Sequence, residues 1–305
     1  MLNAGDFASS SDETPVYFQN GEATLFGILT KPTTGSNGIV IVTIPGGGTP
    51  LSMHVNRLSV KLCRRVASAG FHAFRFDYHG VGESFGETDR FDLAQPFVSD
   101  LEGAIAWLSD NHIKRHVLVG SCFGARTVMA TAAKLRTIDA VALICPPLRD
   151  FVMGEQVITR FASELSLVEF AQRAANPTRL AKLVHRDSRA TYAALGSEKI
   201  RSMLVRRNET SAAARYQISP GFLHSLGTLA ELSIPTLFVF GKQDDFLAEF
   251  QRAKSGPLGP ILRDRRANIS VEIVPGRIHG FQTMDAQDHV LDLVSTWLVA
   301  RSAGA

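Results

Sequence analysis

Five residues of this 305-residue chain, Gly120-Ser121-Cys122-Phe123-Gly124, carry the densest chemical signal. They follow the apolar run "HVLV" and precede a helical pattern. A side chain there stands on a tight strand-to-helix turn, and glycines two residues to either side let the backbones approach. The commonest version of this turn carries serine at the centre, so Cys122 poses a choice between a nucleophile and a core thiol. A thiol at a helix N-terminus with an imidazole nearby is expected to ionise more easily than free cysteine, at about 8.5. Cys63 and Cys145 lie in apolar patterns and are expected to be packing residues.

A second glycine cluster, Gly46-Gly47-Gly48, ends the run "GIVIVTIP" and offers backbone N–H groups with no side chain in the way. It resembles a phosphate loop only superficially. Neither a G-x-G-x-x-G opening a helix nor a G-x-x-x-x-G-K-[ST] is present, so nucleotide binding is not expected. No histidine pair at i, i+4 accompanies a carboxylate, and no metal or other cofactor is expected.

These turns need a scaffold, and the chain supplies one in alternating patterns. Apolar residues make up 45% of the sequence and charged residues 20%, as in an ordinary globular protein. The net charge of +3 is too mild to argue for nucleic acid or a membrane surface as partner. Three scattered cysteines suggest neither a disulfide framework nor a zinc knuckle, and fit a reducing compartment. The first residues lack the charged start and apolar core of a leader, and no apolar run approaches the roughly 20 residues that span a bilayer. A cytoplasmic location is therefore expected.

"PVYFQN" and "ATLFGILTKP" read as an antiparallel opening pair, turned at Asn20-Gly21. Short β-branched runs then alternate with helical periodicity: "GIVIVTIPGGG", "FHAFRFD", "HVLVG", "IDAVALIC", "IPTLFVFG" and "ISVEIVPG" are strands. Val55, Leu58, Leu62 and Val66 form one helix face, and Phe97, Leu101, Ala104, Ile105 and Leu108 another. The pattern predicts a mostly parallel central sheet with helices on both faces. Between Leu148 and Ala230 strands disappear, as in a helical cap, giving core residues 1–147, cap 148–230 and core 231–305. That cap holds twelve Lys and Arg against seven Asp and Glu, leaving the rest of the chain net negative.

With "GSCFG", "RFDYHGVGES", "FGKQDD" and "RIHGF" in this order, the chain resembles an α/β-hydrolase from about Ala23 onward. The cysteine at the elbow is similar to dienelactone hydrolases and to cysteine-dependent acyl-CoA thioesterases and N-acyltransferases. The resemblance implies nucleophile, acid and histidine in that chain order, which maps onto Cys122, Asp244 and His279, with Asp245 the rival acid. It further implies an oxyanion hole from the Phe123 N–H and a strand-end glycine, Gly47 favoured. The motif around Asp77, His79, Gly80 and Gly82 is structural in that family. Three functions follow as expectations: hydrolysis of an activated ester, lactone or thioester through a thioester acyl-enzyme; transfer of the acyl group to an amine, alcohol or thiol; or a catalytically silent binding protein on the same fold. The expected partner is a small acyl substrate. Arg201, Arg206 and Arg207 in the basic cap are candidates for the phosphates of a coenzyme A or carrier-protein thioester.

Overall fold

The computed structural model describes residues 12–33, 35–47, 51–153 and 217–302. Most of the expected cap, with Arg201, Arg206 and Arg207, lies outside these residues, as does Gly48. Eight strands form one sheet in the order β1-β2-β4-β3-β5-β6-β7-β8. The first two, β1 (Glu13–Asn20) and β2 (Ala23–Thr30), pair antiparallel with each other. β2 also runs antiparallel to β4 (His72–Phe76). From β4 through β3 (Ile39–Ile44), β5 (Arg115–Ser121), β6 (Ala140–Ile144), β7 (Thr236–Gly241) and β8 (Ile269–Val274), every pairing is parallel.

Central parallel strands are covered on both faces, which is why β3, β6 and β7 bury every residue and read as unbroken apolar runs. The helices α1 (Leu58–Ser68), α2 (Val98–Asp110) and α3 (Phe123–Leu135) follow β3, β4 and β5. After β6, α4 (Pro220–Glu231) packs against α3. α5 (Asp245–Lys254) and the short α6 (Leu258–Leu262) separate β7 from β8, and α7 (Met284–Ser302) closes the described chain.

Two local expectations are corrected. Asn20 pairs with Ala23, so the hairpin turn consists of Gly21 and Glu22 rather than Asn20 and Gly21. Gly21 supplies the positive φ, 59°, that the turn requires. Val55 does not join the α1 stripe. It opens a 3-10 turn before the helix and is exposed, while Leu58, Leu62, Cys63 and Val66 are buried. The cause is a left-handed backbone at Asn56 and Arg57, with φ of 49° and 60°, which breaks the helical phase.

"RFDYHGVGES" forms the turn after β4. The Ser52 and Glu83 N–H groups donate to the Asp77 carboxylate at 2.6 and 3.2 Å, tying this turn to the loop after β3. His79 bonds Asp100 through Nδ1 at 2.7 Å, and that bond holds the imidazole above its ordinary pKa. Both residues are bound into the scaffold.

Backbones pack closely at the elbow between β5 and α3. A Cβ on Gly120 would enter the backbone of Gly124 and Ala125; one on Gly124 would enter the carbonyls of Ile44 and Pro45. Both contacts are with backbone, which cannot swing aside. Gly124→Ala is accordingly expected to destabilise the fold by about 1–3 kcal/mol, the usual range for overpacking. Urea denaturation followed by circular dichroism measures this, and an unchanged midpoint would refute the close-packed elbow.

Candidate active site

Cys122 sits between the last residue of β5 and the first of α3 with φ 49° and ψ −114°, a backbone that non-glycine residues rarely adopt. Such residues carry strain of about 1–3 kcal/mol, held in place by the surrounding packing. Here the Cys122 N–H donates to Ile144 O at 2.9 Å, and its own carbonyl accepts from Ala125 at 3.1 Å. The Phe123 ring is fixed by Phe91 and Phe97, each with centroids at 5.0 Å, and by Tyr78 at 6.0 Å. Anchoring the ring fixes the direction of the Phe123 N–H.

The backbone N–H groups of Phe123 and Gly47 both face the Cys122 sulfur and favour its thiolate. A Cβ on Gly47 would collide with the Met153 thioether and the Phe123 side chain, so only glycine fits. They are the two residues that the resemblance implies as oxyanion donors, Gly47 being the glycine favoured there.

The expected easy ionisation of Cys122 is not found. Burial pushes the thiol up to about 11, outweighing the two N–H groups that favour the thiolate. Only 9% of the residue is exposed, and the thiolate loses its water. Cys63, on the buried face of α1, has Thr43 Oγ1 at 3.8 Å, and its thiol is likewise raised to about 11 by burial.

Asp244, at the start of α5, is buried and surrounded by donors. Its Oδ2 accepts from Gly241 N at 2.8 Å and Ile278 N at 3.3 Å, and Oδ1 accepts from His279 N at 3.1 Å. Gly241 has no room for a Cβ beside that carboxylate. Asp245 instead points outward, 55% exposed, 3.5 Å from Arg277. The structure thus separates the two acids: Asp244 faces the His279 loop from inside, and Asp245 belongs to the surface. The His279 ring is half-buried and meets Phe246 edge-on at 4.7 Å.

Two residues at the site escaped the sequence reading. Cys145, expected only to pack, is buried at the end of β6, and its thiol donates to Asp244 Oδ2 at 3.1 Å. Burial first, then the Asp244 charge, raise this thiol well above its ordinary value, so it remains a donor. Its only sequence signal was its place at the C-terminal end of a buried strand. His54 places Nε2 3.1 Å from Ser121 Oγ, and nothing in the spacing of "LSMHVN" announces it. Arg126, in the first turn of α3, is buried and braces the rear of the site. It donates to Leu93 O, Pro147 O, Ser219 Oγ and the Asp150 carboxylate.

The sheet order, the elbow after β5 and the acid and histidine loops after β7 and β8 define an α/β-hydrolase. A family model described as "Hydrolase_4: Serine aminopeptidase, S33" matches residues 40–255, and the chain belongs to that family of hydrolases. Among curated proteins, the quorum-quenching protein AidA of Acinetobacter baumannii (strain MDR-ZJ06) is 28% identical over 134 residues. The match spans 43% of this chain and 43% of that protein, less than half of either. The fold is shared with a Pyrococcus furiosus esterase (TM-score 0.61, 14% identity, 95% of this chain and 91% of that one). It is shared also with a dienelactone hydrolase of Anabaena variabilis (0.57, 16%, 96% and 99%). Est1E of Butyrivibrio proteoclasticus, solved with ferulic acid bound, is similar as well (0.57, 17%, 94% and 99%). No helix among the described residues is long and apolar enough to cross a membrane.

The raised thiol makes a measurable statement. Between pH 7 and 10, iodoacetamide alkylation of Cys122 in the free protein should accelerate about tenfold per pH unit, because only the thiolate reacts. Peptide mapping by mass spectrometry measures it. A rate that levels off near pH 8 would refute the buried, neutral thiol.

Proposed function

We propose that this chain is an acyl-transfer hydrolase whose nucleophile is Cys122, activated by His279, with Asp244 orienting the histidine. The observation that carries this reading is the convergence of the Gly47 and Phe123 N–H groups on the Cys122 sulfur. Donors that face the sulfur in the free protein are close to where the oxyanion forms, two bonds from sulfur on the acyl carbon that it attacks.

The thiol is neutral at rest, so the reaction has no standing thiolate to draw on. His279 takes the S–H proton as sulfur bonds the acyl carbon, and the carbonyl electrons move onto the oxygen held by Gly47 and Phe123. The oxyanion collapses, the leaving group departs with the proton from His279, and a thioester acyl-enzyme remains. Water, deprotonated by His279, then attacks that thioester; sulfur leaves, recovers its proton and the free acid is released. Asp244 is held by Gly241, Ile278 and His279 N–H groups, so its carboxylate keeps one orientation behind the base.

Sulfur chemistry selects the substrate. Attack on a plain alkyl ester converts an oxoester into a higher-energy thioester and expels a poor leaving group. Attack on a thioester, an activated ester or a strained lactone is nearly balanced. The proposed substrates are therefore activated acyl donors, with water as acceptor.

Intact-mass spectrometry after incubation with a panel of short and medium acyl thioesters should show one acyl adduct on the chain, absent in Cys122→Ala, and free acid as product. Cys122→Ala should lose turnover by about 10⁶-fold, the scale on which loss of a triad nucleophile acts. Unchanged turnover in that variant would overturn the nucleophile. Amide accumulating in place of acid when amines are added would overturn water as the acceptor.

The two neighbouring acids give a second check. Asp244→Asn should reduce kcat by about 10⁴-fold, as loss of the orienting carboxylate does elsewhere. Asp245→Asn, on the surface, should stay close to the parent. Steady-state kinetics decides, and the reverse order would reassign the acid.

A further inference from the structure

His54 stands in an unusual backbone state. Its φ of 61° and ψ of 175° lie in a region that is essentially reserved for glycine, and Asn56 and Arg57 follow in left-handed conformations. Phe281, two residues beyond His279, has φ 49°. Strain of this kind costs about 1–3 kcal/mol per residue and persists only where surrounding contacts impose it. The contacts meet at one imidazole. His54 Nε2 lies 3.1 Å from Ser121 Oγ, the residue before the nucleophile. The ring also meets that of Phe281 edge-on, centroids 5.0 Å apart. Gly46 packs against the same spot, since a Cβ there would lie 3.6 Å from Ser121 Oγ and from Cys122 Cβ.

The tautomer follows from the other nitrogen. Val55 N–H donates to Nδ1 at 2.8 Å, so Nδ1 is bare in the neutral ring and the proton resides on Nε2. Burial pulls the ring down to about 4, and it is neutral at pH 7. His54 therefore donates to Ser121 and cannot accept its proton. The Ser121–His54 pair is thus no second nucleophile–base dyad, although its spacing imitates one.

We propose that His54 is a positioning residue, whose Nε2–H grip on Ser121 and edge contact with Phe281 fasten the oxyanion glycines, the elbow and the His279 loop together. The proposal rests on the reading of Cys122 and His279 given above. Three loops that emerge from β3, β5 and β8 share this ring as their common contact. Without it, relaxation of the strained residues would shift the Gly47 N–H and the His279 loop relative to the sulfur.

The test uses the full chain with p-nitrophenyl acetate as substrate, beside Cys122→Ala as control. His54→Ala should lower kcat about 10- to 100-fold with KM little changed, the scale of small misplacements at a reacting centre. His54→Gln, whose amide N–H can reach Ser121, should recover most of that loss. Undiminished kcat per folded molecule in His54→Ala would overturn the proposal, as would a glutamine variant no better than alanine. Should the alanine variant fail to fold, the glutamine variant and a ¹⁵N NMR measurement on the parent decide. At neutral pH, Nε2 of His54 should carry the proton and Nδ1 should be bare, in the parent and in Cys122→Ala alike; a proton on Nδ1 overturns the assignment. Because this measurement needs no turnover, an active Cys122→Ala would sink the nucleophile while leaving the His54 contact to be judged separately.

Discussion

The close approach of backbones at Gly120 and Gly124 is the constraint on which the rest of this site depends. With no Cβ at either position, the first turn of α3 lies directly on the ends of β3 and β5. That approach forces Cys122 into its positive φ, and the same turn projects the sulfur and the Phe123 N–H to one side. The strain is balanced by packing that has little freedom to relax: the aromatic group around Phe123, and Arg126 bonded to three loop segments behind it. A buried guanidinium whose carboxylate partner is removed is left uncompensated, which is why such a brace is rigid. The placement of Cys122 thus rests on van der Waals exclusion between main chains at Gly120 and Gly124.

Electrostatics at the site follow from the same burial. A thiolate would need solvent that the elbow excludes, and two N–H groups do not make up the difference, so the thiol stays protonated. Asp244 is treated differently by the fold. Three backbone N–H groups and the Cys145 thiol surround its carboxylate, replacing water with fixed donors. Fixed donors thus surround the Asp244 carboxylate, while burial withholds charge from Cys122. In the proposed reaction, this division means that charge reaches the sulfur only during attack, when the acyl oxygen can receive it.

Much of the scaffold was legible because parallel strands covered on both faces leave unmistakable apolar runs, as in "GIVIVTIP" and "IPTLFVFG". The elbow was legible because glycine at two fixed offsets reports a steric requirement. What the sequence hid was set by distant contacts. Val55 fits the α1 periodicity, yet left-handed residues beside it end that phase. The Cys122 expectation weighed local helix polarity and missed desolvation, a property of everything packed around the thiol. Cys145 and Asp244 are 99 residues apart, and His54 and Ser121 are 67. No spacing rule links such pairs; only the strand order that brings β3, β5, β6 and β7 side by side does so.

A cysteine in a family named for serine raises the question of what the surrounding protein must change. For a free thiol the gain over a hydroxyl is that it ionises near neutrality, several pH units below an alcohol. This site gives that gain back, since a thiol at about 11 needs base assistance as a serine does. The remaining difference is then the acyl-enzyme itself: a thioester is more open to the next nucleophile than an oxoester and is formed only from donors of comparable energy. In the proposed reaction, sulfur in place of oxygen would act on substrate choice and on the second half of the cycle, and the first proton transfer would remain the task of the histidine.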